Sequence, residues 1–217
     1  MSRRWQTVCK AVVLVTATVS LTACGAAGTG TAPGSGAASV APTPTAPDLI
    51  GVPGPLSLDG IDHSLAASSK PKPTYYRQEY LPSGQQLDSY QRMLQVELVG
   101  GAAVADAVKT QVTALDQRKK TDPVVNYDVR VKQETGEALL DFVLAGKTQA
   151  GEDFIEWNVY RYVPATLAGK KATQLYGLSL RAYGKGREDF LKNLKQTRPK
   201  EVNAVALAQV PKVTVPA

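Results

Sequence analysis

The stretch Val125-Asn126-Tyr127-Asp128-Val129-Arg130-Val131-Lys132-Gln133-Glu134-Thr135-Gly136-Glu137-Ala138-Leu139-Leu140-Asp141-Phe142-Val143-Leu144 decides the fold class. Val125, Tyr127, Val129 and Val131 alternate with polar residues, the period of a strand that turns one face inward. Glu134-Thr135-Gly136-Glu137 supplies a turn and residues 138–144 read as the returning strand, so the pair is an antiparallel hairpin. Further on, residues 153–163 place Ile155, Trp157, Val159 and Val163 on one face. Residues 172–183 do the same with Tyr176, Leu178, Leu180 and Ala182.

On the N-terminal side of this stretch, Val104, Val108, Val112 and Leu115 recur at helical spacing and predict a helix over 102–119. Arg118, Lys119 and Lys120 crowd its C-terminal end, where cations complement the dipole, and Asp122-Pro123 stops it. Before it, residues 90–99 carry Leu94, Val96 and Leu98 on one strand face and end at Gly100-Gly101. A first strand near Thr74 alternates Tyr75, Arg77 and Glu79 with Tyr76, Gln78 and Tyr80, and Leu81-Pro82-Ser83-Gly84 closes it. The chain finishes with a helix from about Arg187 whose apolar side is Phe190, Leu191 and Leu194. Pro199 punctuates it, a helical piece at 202–207 follows, and the tail 211–217 frays.

Strands joined by hairpins with few crossovers predict an α+β fold, an antiparallel sheet of five to six strands with helices packed on it. The domain is bounded at 74–210, long enough for one independent core. Residues 48–73, with Gly51-Val52-Pro53-Gly54-Pro55 and Ser68-Ser69-Lys70-Pro71-Lys72-Pro73, read as an irregular lead-in, although Leu49, Ile50, Leu56, Leu58 and Ile61 offer an arm that could pack. From Gly25 to Pro47 the chain is Gly, Ala, Ser, Thr and Pro with almost nothing to bury, the composition of a disordered tether. Its reach is about 25–30 Å.

The N-terminus carries a further signal. Arg3, Arg4 and Lys10 precede an apolar run of eleven residues, 11–21, too short to span a bilayer as a helix. Leu21-Thr22-Ala23-Cys24 follows and resembles the lipobox of bacterial lipoprotein precursors. The resemblance implies that residues 1–23 are a signal peptide and that Cys24 becomes the lipidated first residue of the mature protein. Its thioether-linked diacylglycerol and an amide-linked, palmitate-type acyl chain would together anchor the protein firmly. The alternatives are ordinary secretion with cleavage after Ala23, or a retained N-terminal anchor. The residue after the cysteine is Gly25 and not the Asp that resembles an inner-membrane retention signal, so in a two-membrane organism the resemblance implies the outer membrane, facing the periplasm. In a single-membrane organism it implies the cell surface.

Cleavage there changes the composition. The whole chain has 25 basic and 19 acidic residues, a net charge of +6. The signal peptide takes three of the basic residues and none of the acidic ones, which leaves little case for nucleic acid. The two cysteines are Cys9 and Cys24, so the mature fold has no disulfide, no free thiol and no Cys-type metal site.

The element order also resembles the PsbP/Mog1-like fold, an antiparallel sheet flanked by helices. The likeness runs through the Tyr80-Leu81-Pro82-Ser83-Gly84 strand end, the helix after Gly100-Gly101, the aromatic strand Glu156-Trp157-Asn158-Val159-Tyr160-Arg161-Tyr162 and the closing helix at 190–194. It implies fold alone, for that family has no shared active site to carry over.

No catalytic residue is expected. His63, the only histidine, lies in Asp62-His63-Ser64, and neighbours in a loop cannot adopt relay geometry, so it reads as a solvated loop residue. Gly184-Lys185-Gly186-Arg187 reads as a strand-to-helix turn, since Glu188 and Asp189 already complement the helix dipole. Glu134, Glu137, Asp141, Glu152, Asp153 and Glu156 fall at turns or on alternating faces, where solvation is expected. No metal and no cofactor is expected either. The candidate binding face is Phe154, Tyr160, Arg161 and Tyr162, aromatic and arginine-rich as protein-contact surfaces are. These readings predict a membrane-tethered, non-enzymatic envelope lipoprotein that binds or assembles a protein partner. The alternatives are a binder of a small apolar ligand or lipid, requiring an apolar cavity, and a hydrolase with a clustered carboxylate pair.

Overall fold

A computed structural model describes residues 46–215; the expected signal peptide, Cys24 and most of the tether lie outside the described residues. The strands and helices run β1 (Leu56–Leu58), β2 (Ile61–Lys72), β3 (Tyr75–Leu81), β4 (Arg92–Gly100), α1 (Val104–Arg118), β5 (Asn126–Lys132), β6 (Glu137–Lys147), β7 (Asp153–Leu167), β8 (Lys170–Tyr183) and α2 (Gly186–Leu207). The strands form one antiparallel sheet in the order β1-β2-β3-β4-β8-β7-β6-β5. Two meanders thus meet at β4 and β8, and α1 carries the chain from the middle of the sheet to its far edge.

The α+β class agrees with the sequence, but the sheet has eight strands and not five to six. The additional pair, β1 and β2, lies in the stretch expected to be irregular. β2 buries only His63 and Leu65, and its register shifts between Leu65 and Ala67 and again between Ser69 and Lys72. The second shift accommodates Pro71, which has no N–H to give to a ladder. His63 is therefore fully buried in a strand, with Nδ1 3.2 Å from the Leu56 carbonyl, and is not a solvated loop residue.

One face of the sheet carries Tyr76, Tyr80, Leu94, Val96, Leu98, Trp157, Val159, Tyr176 and Leu178, all buried beneath α2 and both ends of the described chain. Helix α2 continues through Pro199 for 22 residues. A proline in a helix interior costs about 3 kcal/mol. Burial of Val202 and Val205 one turn later offsets it, at roughly 1.5–3 kcal/mol for each such side chain. Val202 and Val205 are its buried residues, and Phe190 and Leu194 of the expected apolar side pack half-buried on the core, while Leu191 is exposed. Nor does the tail fray: Thr214 N–H donates to the Ile50 carbonyl at 2.7 Å, and Val213 and Val215 pack on the core. Gly51 faces the same tail at φ +68°, its position for a Cβ only 2.9 Å from the Thr214 carbonyl oxygen.

Helix α1 covers part of the opposite face. Val104, Val108 and Leu115 pack with Leu140, Phe142, Tyr162 and Leu175 in a second buried cluster. Among the described residues, no helix is long and apolar enough to cross a membrane.

Candidate functional site

The face that α1 only partly covers contains the densest polar chemistry in the domain. The strand period puts Arg77 and Glu79 of β3, Gln95 and Glu97 of β4, Ser179 and Arg181 of β8, and Glu156, Asn158 and Tyr160 of β7 on this one side. Across the sheet Glu79 stands opposite Gln95, Gln95 opposite Gly177, and Gly177 opposite Tyr160. With no side chain at Gly177, the Tyr160 ring closes over it, and a Cβ there would lie 2.8 Å from Tyr160 Cδ1. Tyr160 thereby marks the boundary between the apolar half under α1 and the ionic half beside it.

Two ion pairs frame the ionic half. Arg77 Nε donates to Glu97 Oε1 at 2.6 Å, and Tyr75 Oη donates to Glu97 Oε2 at 2.9 Å. Arg181 Nε donates to Glu156 Oε2 at 2.8 Å, the oxygen that also accepts the Tyr90 hydroxyl. The Arg181 guanidinium lies between two rings, 4.1 Å from the centroid of Tyr90 and 4.0 Å from that of Phe154. Both Glu97 and Glu156 are buried, as are Asn158 and Ser179, whose hydroxyl donates to Asn158 Oδ1 at 2.6 Å. A buried charge persists only where it is paired and hydrogen-bonded, and here each is.

Glu79 is different. It is half-buried, and burial is the largest influence that lifts its carboxyl above the ordinary range. Arg77 and Arg181 pull it down, while Glu97 and Glu156 push it up, and among the described residues no hydrogen bond to it contributes. Three carboxylates and two guanidiniums therefore share this strip, leaving one negative charge uncompensated among them.

The expected binding face is rearranged. Phe154, Tyr160 and Tyr162 do share a side, but Tyr162 is 4% exposed and Tyr160 packs beside it, closed in by α1. Phe154 sits on Gly146 and against Arg181. Arg161, expected with them, points to the other face by strict alternation. There it pairs with Glu137 at 2.8 Å and donates to the carbonyls of Ala206 and Ala208 at the end of α2. Gln95, Glu97 and Arg181 were not singled out by sequence reasoning. The available signal was polar residues repeating at every second position of β4, β7 and β8, the three strands at the middle of the sheet.

The carboxylates expected to be solvated are mostly engaged. Asp141 is buried and held by Arg198 at 2.6 Å, and Asp153 by Lys147 at 2.5 Å. No pair stands ready for acid–base work in the ionic strip, because both neighbours of Glu79 are committed to arginine. Among the described residues no group of three or more His, Cys, Asp or Glu side chains is placed to hold a metal ion.

A cleft of about 830 Å³ opens elsewhere, between the β5–β6 hairpin and α2. Arg130, Lys132, Arg161, Arg198 and Lys200 line it, yet Asp128, Glu137, Asp141 and Asp59 pair with four of them. It is therefore not an unmatched cationic cradle.

A protein-family model matches residues 50–210. The chain belongs to that family. The match begins in the arm at Ile50 and ends just beyond α2, so it takes in β1 and β2 with the rest of the sheet. No curated protein matches the chain.

Proposed function

We propose that this protein is a lipid-anchored, non-enzymatic binding module of the bacterial envelope, tethered through Cys24 and engaging an envelope protein through the ionic strip of its sheet. The observation that carries the reading is Glu79, an unbonded, half-buried carboxylate set between two fixed ion pairs. A partner's lysine or arginine would bring the one charge the strip lacks, and the rigid flanking pairs would fix where it docks. The flanking aromatics Tyr75 and Phe154 suit a protein contact. The lipobox resemblance at 21–24 supports the anchor, and the Gly/Ala/Pro composition that follows supports a tether.

The test is recovery of crosslinked partners from envelopes with the native protein and with Glu79→Lys. Stoichiometric recovery of one envelope protein by the native chain and its loss in Glu79→Lys is the expected result. Equal recovery by both moves the contact elsewhere, and recovery of lipid alone would sink the module reading. The anchor is tested separately: Cys24→Ala should abolish acyl labelling and release the protein from membranes.

A further inference from the structure

Strand β5 is an open edge. Among the described residues it pairs with β6 alone, and five of its seven residues are exposed. Val129 and Val131 are 36% and 56% exposed on the face that α1 only partly covers. The opposite edge, β1, is three residues long. A seven-residue edge with free backbone donors and acceptors and exposed valines is a template for another strand.

The sequence of β5 says which strand fits. Asn126-Tyr127-Asp128-Val129-Arg130-Val131-Lys132 is complementary to itself when a second copy is laid antiparallel about Val129. Val129 then meets Val129 on the axis, and Tyr127 meets Val131 on the same side, an aromatic–β-branched pair of the kind that stabilises sheets. On the other side Asp128 meets Arg130 twice. Within one chain these two are already 2.9 Å apart, so the four charges would alternate around a square. Moving the centre to Asp128 or to Arg130 sets like charges against each other, and a half-residue shift sets Val129 against aspartate or arginine. Only the Val129-centred register pairs all seven residues.

We propose that the partner of this edge is a second copy of the chain, joined through β5 in a two-fold, isologous contact that continues the sheet across both molecules. One strand pair buries less than the ~1,200 Å² of a standard stable interface, so the association depends on high local concentration. Copies held on one membrane would have it. The inference itself rests on β5 and not on the function proposed above.

The register gives a decisive test. In the full chain with Cys9→Ser and Cys24→Ser, concentrated to replace the crowding that a membrane would give, Val129→Cys puts two thiols on the axis, at a Cα separation of about 4.5–5.5 Å that a disulfide spans. Val131→Cys, at the more exposed of the two positions, puts its two thiols four residues apart along the ladder. Mild oxidation should give a disulfide-linked homodimer at least ten times faster for Val129→Cys than for Val131→Cys. Adding Arg130→Asp to Val129→Cys should slow the reaction, and adding Asp128→Arg as well should restore it. Equal rates at the two positions, no crosslink at either, or crosslinking of Val129→Cys to a different protein would overturn the proposal. Circular dichroism of each variant separates a lost contact from a lost fold.

Discussion

Tyr160 occupies the space that Gly177 leaves empty, ring carbon to would-be Cβ at 2.8 Å, and so joins the apolar and ionic halves of one sheet face. The Tyr160 hydroxyl donates to Asn158 Oδ1 at 3.2 Å and its ring meets Phe142 edge-on at a 5.0 Å centroid distance. Gly177→Ala must therefore displace the ring from both contacts. Overpacking of this kind costs about 1–3 kcal/mol. Urea unfolding of Gly177→Ala should show that loss, and restoration by the double variant Gly177→Ala with Tyr160→Leu would trace it to the ring. A midpoint unchanged by Gly177→Ala alone would mean that the ring moves freely.

The Glu156–Arg181 pair should be far costlier to break than an exposed one. Its side chains are 12% and 15% exposed, and Arg181 is stacked between Tyr90 and Phe154. Glu156→Gln leaves the guanidinium buried without its counter-charge, a change worth about 3–5 kcal/mol. Lys147→Ala, which removes a pair whose members are 67% and 43% exposed, should leave the urea midpoint essentially where it was. Similar effects from the two substitutions would show that solvent reaches Arg181.

These elements differ in how plainly the sequence announces them. β6 to β8 and α1 are written in clean periods of two and of 3.6, because one side of each packs against apolar neighbours; β5 shows the same period although its Val129 and Val131 are exposed. β2 is rich in serine, alanine and lysine and turns only His63 and Leu65 inward, so its period is nearly silent. Alternation places Phe154, Tyr160 and Tyr162 together and Arg161 opposite, but which face a helix will cover is set by the crossover from β4 to β5. That is a property of the whole topology. Likewise, Arg77 and Glu79 look like a solvated strand face until Glu97, Glu156 and Arg181 arrive from distant positions to share it.

The N-terminal arm should depend on one buried amide. Gln78 Oε1 accepts from the backbone N–H of Leu49 at 2.6 Å and of Ile50 at 3.1 Å, and Gln78 Nε2 donates to the Val52 carbonyl at 3.0 Å. Gln78→Leu strips all three; the Ile50 N–H keeps Asp48 Oδ1 and the Val52 carbonyl keeps the Tyr80 hydroxyl, so the Leu49 N–H is the group left unpaired, at about 1–3 kcal/mol. Limited proteolysis should then cut within 48–55 well before the rest of the domain. Resistance equal to the native chain would mean that the apolar contacts of Ile50 and Val52 hold the arm unaided.

His63 should make the fold sensitive to mild acid. Burial is the main cause that pushes its imidazole below the usual 6.5; Arg92 pushes the same way, and the Leu56 carbonyl and Asp62 oppose. Below pH 6.5 the unfolded chain takes up a proton that the folded chain refuses, so unfolding becomes easier as pH falls. Above 6.5 both states are neutral at this residue and it adds no slope. Each unit by which the folded value is depressed is worth about 1.4 kcal/mol once the pH lies below it. Glu79 acts in the opposite sense at lower pH, because its raised carboxyl favours the folded state as it becomes protonated. Urea midpoints taken from about pH 8 down to 5 should therefore decline below 6.5 in the native protein and decline less in His63→Leu. Parallel curves for the two proteins would assign the acid sensitivity to another group.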